Sequence, residues 1–232
     1  MDIKTVARRS LRSVLTQRTE AGELGYYRFA YGWDWSSRIA LVNHLICLNG
    51  YRSYLEIGVR DRDAMFNRIS VADKTCVDPD PQAKADFEGT SDAFFAGSKK
   101  TFDIIFIDGL HTGEQVARDL TNALAALDEG GAILLHDMNP PTAFHARETY
   151  EVEGQFPDWN GTSWQGFAEH RKSNPDLEMY VVDTDWGVGF VRPGRQDCYD
   201  GPVGSYADLD AHRQEILQLI PVREFLRRHP AR

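Results

Sequence analysis

The middle of the chain contains apolar runs that are continuous rather than alternating. The strong runs are residues 54–59 (YLEIGV), 75–79 (TCVDP), 102–109 (FDIIFIDG) and 132–137 (AILLHD). Continuous apolarity indicates strands buried on both faces, as in a parallel sheet covered by helices. A weaker extended segment at residues 88–90 predicts a further short strand that ends at Ser91 and Asp92.

A helix is predicted between the third and fourth of these runs. Thr112 and Gln115 have the spacing of a capping box, and apolar residues then recur at helical intervals from Val116 to Leu127. The pair at residues 130–131 (GG) predicts the end of this helix. A strand, a helix and a strand in succession make a crossover, so the two flanking strands should be parallel and close neighbours.

Two later apolar segments have a different relationship. Residues 177–183 and 187–191 read as strands, and only residues 184–186 separate them. This connection is too short for a crossover helix, so the two strands should form an antiparallel hairpin. The predicted fold class is therefore α/β, with a Rossmann-like, doubly wound, mostly parallel seven-stranded sheet that ends in an antiparallel hairpin.

The segments around these strands predict three parts of the chain. Residues 1–50 read as an N-terminal helical segment, and residues 51–192 as the Rossmann-like domain. Residues 193–232 read as a loop and helical arm, with helices near 209–219 and 222–228 and Asp208 as a cap. Within the domain, residues 138–176 are an insertion rich in aromatic residues, with one helix near 164–172. The insertion forms either local core or an acceptor pocket over the carboxyl edge of the sheet.

Charge and composition limit the classes of partner. The 232 residues carry a formal net charge of −9, so the chain gains no general affinity for nucleic acid or for an anionic membrane surface. The longest mostly apolar stretch, 39–48, is half the roughly 20 residues of a membrane span. The basic N-terminus lacks the apolar region of a secretion signal, and three distant cysteines suggest no disulfide framework. The expected location is the cytoplasm.

Polar residues follow each predicted parallel strand, at the edge where open α/β sheets bind ligands. Gly58 permits a tight turn after the first strand, and Asp78 follows it by 20 residues. At this spacing an acid can accept both hydroxyl protons of an adenosine ribose. The alternative is a plain turn at Gly58 and a strand terminator at Asp78. No three-glycine phosphate loop is present, so an adenosine ligand without phosphates fits better than a dinucleotide.

Four motifs resemble class I S-adenosylmethionine (SAM)-dependent methyltransferases. The resemblance is to the small-molecule O-methyltransferases of the macrocin O-methyltransferase and cephalosporin-hydroxylase-like group, and it covers about residues 50–140. The motifs are YLEIGV at 54–59, CVDPDP at 76–81, FDIIFIDGLHTGEQVARDL at 102–120 and GGAILLHDMNPP at 130–141. The resemblance implies SAM as the cofactor.

The resemblance also implies roles for individual positions. Glu56, Gly58 and Val59 would flank the methionine part of the cofactor, Asp78 followed by Pro79 would hold the ribose, Ser91 and Asp92 would approach the adenine, and Asp108, Gly109 and Leu110 would form the floor. Metal-using relatives bind a divalent cation at the ends of the last two parallel strands. Those positions are Asp108, His136 and Asp137, and an imidazole there suits a transition ion better than magnesium.

The predicted reaction is methyl transfer to a hydroxyl of a small molecule, such as a sugar or a natural-product intermediate. His111 and His136 are the candidate bases, with Asp137 beside them. The alternatives are that His111 packs at the helix start and that His136 only orients Asp137.

Two other functions remain as alternatives. Arg62 stands where relatives often carry a second glycine, which motivates a non-catalytic adenosine-binding accessory module of the same fold. An NAD-dependent oxidoreductase is disfavoured by the missing glycines. The expected partner is a small-molecule acceptor, and the N-terminal helix and C-terminal arm are candidate contacts in a homo-oligomer.

Overall fold

The computed structural model describes residues 36–231, and the predicted helix before residue 36 lies outside them. Within that range the strands are β1 (Ser53–Ile57), β2 (Asp73–Asp78), β3 (Phe87–Glu88), β4 (Phe102–Ile107), β5 (Leu127–Leu135), β6 (Leu177–Val182) and β7 (Val188–Pro193). The α-helices are α1 (Arg38–Asn49), α2 (Ser91–Gly97), α3 (Gly113–Ala125), α4 (Ser163–Ser173), α5 (Tyr206–Leu217) and α6 (Val222–Arg228). Short 3₁₀ turns cover Phe66–Arg68 and Pro81–Ala83.

The seven strands form one sheet in the order β3-β2-β1-β4-β5-β7-β6. The ladders from β3 to β5 are parallel, and β7 is antiparallel to both β5 and β6. The predicted α/β class, the parallel sheet and the terminal hairpin are confirmed. Strand order reverses between β1 and β4, so the carboxyl ends of these two strands flank the crevice where this architecture binds ligands.

Both faces of the sheet are covered, which explains the continuous apolar runs. Leu55, Ile105 and Ile133 face a core shared with α2, α3, α4 and α5. The alternate positions, such as Tyr54 and Phe106, face a second core shared with α1 and α6. Successive side chains of a strand point to opposite faces, so each run must be apolar at every position.

Two predicted helix boundaries are wrong. The helix α3 ends at Ala125, and residues 130–131 lie inside β5. Gly130 has a φ of +78°, and the β4–β5 register shifts between Phe102 and Ile104. The glycines therefore accommodate an irregularity in the strand, which is another structural use of glycine. At α5 the cap is Ser205, while Asp208 is the third helical residue and completes a capping box.

The hairpin connection is a tight turn at residues 184–187. Asp185 and Trp186 both have positive φ angles, of 45° and 65°, and the Gly187 N–H donates to the Thr184 carbonyl. Backbone conformations of this kind are rare for non-glycine residues and are often found at functional sites. As for membranes, none of the helices in residues 36–231 combines the length and apolarity of a span.

Arg171 fastens the C-terminal arm to the sheet. This residue of α4 is buried, and its guanidinium donates to the Met179 carbonyl of β6 at 3.0 Å. It also donates to the side-chain oxygens of Gln196 and Gln218 and to the Glu215 carbonyl, at 2.7–3.4 Å. One side chain thus joins α4, β6 and the end of α5 through neutral oxygen atoms.

Candidate active site at the carboxyl edge of the sheet

The site residues predicted from the sequence all lie at the carboxyl edge of the parallel strands. They are Glu56 in β1 with Gly58 and Val59 after it, Asp78 and Pro79 at the end of β2, Ser91 and Asp92 in the first turn of α2, Asp108, Gly109, Leu110 and His111 after β4, and His136 and Asp137 after β5. The parallel ladders bring these strand ends side by side. The edge therefore carries five carboxylates and two imidazoles.

Gly58 occupies the reversal point between β1 and β4. Its φ is +83°, and its N–H donates to the Val77 carbonyl at 2.8 Å. A Cβ at this position would lie only 2.2 Å from the carbonyl oxygen of Asp108. The chain's own backbone, more than a ligand, therefore requires glycine here. The close approach fixes the relative positions of the loop after β1 and the site residues after β4.

Asp78 is held in a single orientation at the end of β2. It is buried, and its two carboxylate oxygens accept hydrogen bonds from the backbone N–H groups of Arg60 and Asp80, each at 2.8 Å. Each carboxylate oxygen has two lone pairs, so both can still accept a ligand hydroxyl. This is the chemistry required of a ribose-binding acid.

A network from α3 positions the start of α2. The Gln115 side-chain amide donates to Ser91 Oγ at 3.2 Å and to Asp119 Oδ1 at 3.0 Å, while Asp92 is exposed. Asp119 is buried, and burial raises its pKa. The sequence analysis did not place Gln115 or Asp119 near the site, because it assigned Gln115 to a capping box. Only half of that box forms. The Thr112 hydroxyl accepts from the Gln115 N–H, but the Gln115 side chain turns to Ser91 and Asp119 instead of back to Thr112.

Glu56 is a buried carboxyl group near the carboxyl end of β1, an inner strand of the sheet. The Tyr54 hydroxyl donates to its Oε2 at 2.5 Å. Burial raises the pKa of Glu56 to about 7 and outweighs the opposing hydrogen bond from Tyr54. The negative charge of Asp108 also raises this pKa, and the charges of Arg38 and Lys74 lower it. A buried acid without a full counter-charge is suited to a cationic ligand group.

Four side chains after β4 and β5, namely Asp108, His111, His136 and Asp137, form what we call the acid–imidazole cluster. His111 Nε2 lies 3.2 Å from Asp108 Oδ1, and His136 Nδ1 lies 3.1 Å from Asp137 Oδ2. Cross contacts of 3.4 and 3.5 Å join the two pairs. One ligand atom from each of Asp108, His111 and Asp137 falls within 4.8 Å of the others.

Both histidines of the cluster have raised pKa values. Burial lowers the pKa of His111, but the hydrogen bond to Asp108 and the charge of Asp137 outweigh it and raise this pKa to about 9. Burial also lowers the pKa of His136, but the charges of Asp137 and Asp108 outweigh it and raise this pKa well above its usual value. The Nε2 atom of His136 lies 3.2 Å from Arg38 Nη1, and its Nδ1 atom faces the Asp137 carboxylate.

Aromatic rings extend from the cluster to solvent. Trp159 stacks on His111 with centroids 5.1 Å apart, Tyr150 stacks on Trp159 at 5.2 Å, and Phe156 contacts Tyr150 at 5.2 Å. Tyr150 and Phe156 are exposed. Other aromatic residues of the insertion, Trp164 among them, belong to the core. The insertion therefore supplies local core, one of the two alternatives expected from the sequence, and its exposed rings lie beside the cluster.

Arg147 holds this part of the insertion together. Its guanidinium donates to four backbone carbonyls, those of Phe144, Tyr150, Pro157 and Asp158, at 2.8–2.9 Å. In return the Trp159 indole N–H donates to the Arg147 carbonyl at 2.7 Å. The ring stacked on His111 is thus fixed by backbone contacts at the far side of the loop.

Sequence reasoning missed three polar residues that contact the cluster. Arg38 and Asp185 both approach His136, with Asp185 Oδ1 3.6 Å from His136 Nε2. The Asn160 side-chain amide donates to Asp137 Oδ1 at 2.7 Å, and within residues 36–231 its own Oδ1 is buried without a partner. None of the three directly follows a parallel strand: Arg38 begins α1, Asn160 lies in the insertion and Asp185 lies in the hairpin turn.

Arg62 stands where relatives often carry a second glycine, and its side chain makes several contacts next to β2. It donates to Asp86 Oδ1 and to the Lys84 carbonyl, both at 2.9 Å, and its guanidinium lies over the Phe66 ring. Asp86 in turn accepts from the Cys76 N–H. Arg62 therefore supports the loop after β2, and this contact weakens the reason to consider it an obstacle to cofactor binding.

Residues 67–138 match the family model described as a methyltransferase domain. This central part of the chain is therefore similar to methyltransferase domains. The matched segment includes β2 to β5 and ends just after the acid–imidazole cluster, and the resemblance noted in the sequence motifs is confirmed. No curated protein is significantly similar to the whole sequence.

Solved structures of other proteins have a similar fold. A provisionally assigned caffeoyl-CoA O-methyltransferase from Staphylococcus aureus is similar with a TM-score of 0.50 and 18% identity, over 79% of this chain and 92% of that one. A provisionally assigned O-methyltransferase from Klebsiella pneumoniae has the same TM-score at 17% identity, over 79% and 89% of the two chains. At these identities the likeness shows the architecture of the sheet and its helices.

Proposed function

We propose that the chain is a SAM-dependent methyltransferase that methylates a hydroxyl of a small molecule, such as a sugar or a natural-product intermediate. The observation that carries the proposal is the pair of buried carboxylates at the open edge, Glu56 on β1 and Asp78 on β2. They offer a partner for the methionine ammonium and one for the ribose hydroxyls. Their place within or beside the methyltransferase domain supports this ligand above other adenosine compounds.

In this proposal positioning supplies much of the rate, because methyl transfer needs the acceptor oxygen in line behind the methyl group. Asp78 and Glu56 fix the two ends of the cofactor, and Gly109 and Leu110 form the floor beside it. The exposed rings of Tyr150 and Phe156 form the wall along which the acceptor enters. We propose a cytoplasmic location and no nucleic-acid or membrane partner, consistent with the net charge of −9.

Proton removal from the acceptor is assigned to the acid–imidazole cluster. His111 retains its proton near pH 7 because its pKa is raised to about 9, so it becomes an effective base only when a neighbouring charge offsets its carboxylates. The donor set also fits a divalent transition ion, since Asp108, His111 and Asp137 converge and the buried Asn160 Oδ1 beside them has no partner among the described residues. His136 is the further candidate ligand. A bound ion would lower the pKa of the acceptor hydroxyl.

Calorimetric titration with S-adenosylhomocysteine (SAH) tests the cofactor assignment. Asp78→Ala should weaken SAH binding by about 10- to 100-fold, because each lost hydrogen bond to a charged group is worth about 1.5–3 kcal/mol. Asp80→Ala is the matched control, since its carboxylate caps Gln82 and its backbone contact to Asp78 survives. No detectable binding of SAM or SAH by the unchanged protein at millimolar concentration would refute the proposed function.

The affinity for SAM should also depend on pH through Glu56. Below pH 7 this carboxyl group is protonated in the free protein, and a bound ammonium favours the ionised form, so binding must release the proton. We expect the affinity to fall by up to about tenfold per pH unit below 7 and to level off above it. Asp108, Arg38 and Lys74 are the charges that also act on Glu56.

Glu56→Gln is the comparison for this pH dependence. The variant should bind SAM more weakly at pH 8 and should lose the slope between pH 5.5 and 7, as measured by calorimetry in buffers of different ionisation enthalpy. A slope that persists in Glu56→Gln would assign the proton to another group.

Two alternative functions have direct tests. A non-catalytic accessory module would bind SAM and transfer no methyl group to any of a broad panel of hydroxylated acceptors. An NAD-dependent oxidoreductase would bind NADH in a fluorescence titration. Methyl transfer to any acceptor of the panel would eliminate the first alternative.

A further inference from the structure

Arg38 lies at the amino end of α1, which precedes β1 with a connection of only three residues, 50–52. A helix that feeds directly into a strand begins at the carboxyl edge of that strand, so Arg38 reaches the site from a segment outside the matched domain. Its Nη1 atom lies 3.2 Å from His136 Nε2. Its charge acts on Asp108, Asp137 and Glu56.

The hairpin turn between β6 and β7 fixes the position of Arg38. The Arg38 N–H donates to Asp185 Oδ2 at 2.7 Å, and its Nη1 donates to Asp185 Oδ1 at 3.2 Å. Next to it the Ser36 N–H donates to Thr184 Oγ1, whose hydroxyl donates back to the Ser36 carbonyl. Asp185, which accepts both hydrogen bonds from Arg38, has a positive φ angle, as does Trp186 after it. A strained turn thus supports one guanidinium.

That guanidinium has unused donors. Its Nε is buried and has no hydrogen-bond partner in residues 36–231, and the side chain remains 27% exposed. A buried N–H without an acceptor is costly. The Nε atoms of Arg147 and Arg171 share this property, but their guanidinium groups each donate to four oxygen atoms of the protein, whereas the Arg38 side chain reaches the crevice. Two other cations near Glu56 are engaged: Arg62 with Asp86, and Lys74 with the carbonyls of Phe66 and Ile69.

The charges of the crevice complement the amino-acid end of SAM. Glu56 and the acidic residues of the cluster suit its sulfonium and ammonium cations, whereas its single anion, the α-carboxylate, needs a cationic partner. Arginine binds carboxylates with two parallel hydrogen bonds. We propose that Arg38 binds the α-carboxylate of SAM, an inference that rests on the proposed function and assigns this binding residue to α1.

The test compares two ligands that differ by one carboxylate, SAM and decarboxylated SAM, in calorimetric titrations. The unchanged protein should bind SAM at least about tenfold more tightly than the decarboxylated compound. Arg38→Ala should lose this preference by weakening SAM alone, and Arg38→Lys should restore part of it. Arg68→Ala removes an equal charge from an exposed position and should leave both affinities unchanged.

The outcomes separate this inference from the proposed function. If Arg38→Ala keeps the preference for SAM, or weakens both ligands equally, then Arg38 does not bind the carboxylate and acts only as a counter-charge to the acids. If the unchanged protein binds neither ligand, the proposed function fails as well. Binding of decarboxylated SAM by Arg38→Ala also shows that the variant is folded.

Discussion

Replacing Gly58 by alanine should weaken SAM binding by at least about 100-fold and destabilise the fold. The new Cβ would have to occupy a position 2.2 Å from the Asp108 carbonyl oxygen, and that neighbour is backbone. Positive φ adds about 1–2 kcal/mol of strain for an alanine. Relief requires the strand ends of β1 and β4 to separate, which displaces Asp108. A loss of 100-fold corresponds to about 2.7 kcal/mol.

Gly50→Ala is the matched control for this prediction. Gly50 has a φ of +69°, and a Cβ there would meet nothing within 4 Å. It should therefore show the conformational strain without the steric conflict, with SAM affinity kept. Thermal unfolding and calorimetry on both variants distinguish the two contributions. Equal loss of SAM affinity in the two variants would contradict the role given to the strand-end contact.

Arg171→Ala should lower the free energy of unfolding by about 3–5 kcal/mol, the largest stability effect that we expect outside the crevice. The substitution leaves several buried oxygen atoms without a donor, among them the Met179 carbonyl. It also opens a cavity between α4 and α5. Urea unfolding measures the change, and the loss should appear as a lower midpoint.

Two variants sharpen this prediction. Lys172→Ala removes the neighbouring charge at a less buried position of α4 and should change stability by less than about 0.5 kcal/mol. Arg171→Met refills most of the volume, so any loss that it shares with Arg171→Ala reports the hydrogen bonds. A neutral Arg171→Ala would mean that the arm is held by its apolar contacts alone.

The fold could be predicted from the sequence because its signals are local. The buried strands are apolar at every position, and the short connection at residues 184–186 allows only a hairpin. The end of α3 was misplaced because Gly130 has the local signature of a helix stop, while its use depends on pairing with β4. The pairing of β5 with β4, a tertiary contact, therefore sets the end of α3.

The candidate site was predictable only where residues follow strands directly. Asp78, Asp108 and Asp137 lie at strand ends, so topology alone brings them to one edge. Arg38 and Asp185 reach the same edge from α1 and from a hairpin turn, through side-chain contacts over 147 positions in sequence. No periodicity or spacing in the sequence encodes such a contact.

The hydrogen bonds from Arg147 to four backbone carbonyls indicate where this loop can be engineered. The loop is anchored at Phe144, Tyr150, Pro157 and Asp158, and the backbones of Val152 and Gln155 close a turn between these anchors. Libraries restricted to the exposed positions 151 and 156, on either side of that turn, should therefore alter the acceptor preference while the scaffold and its cofactor affinity stay intact. Because Arg147 holds the loop through its backbone, exposed side chains of the loop could change the acceptor preference without a loss of protein stability.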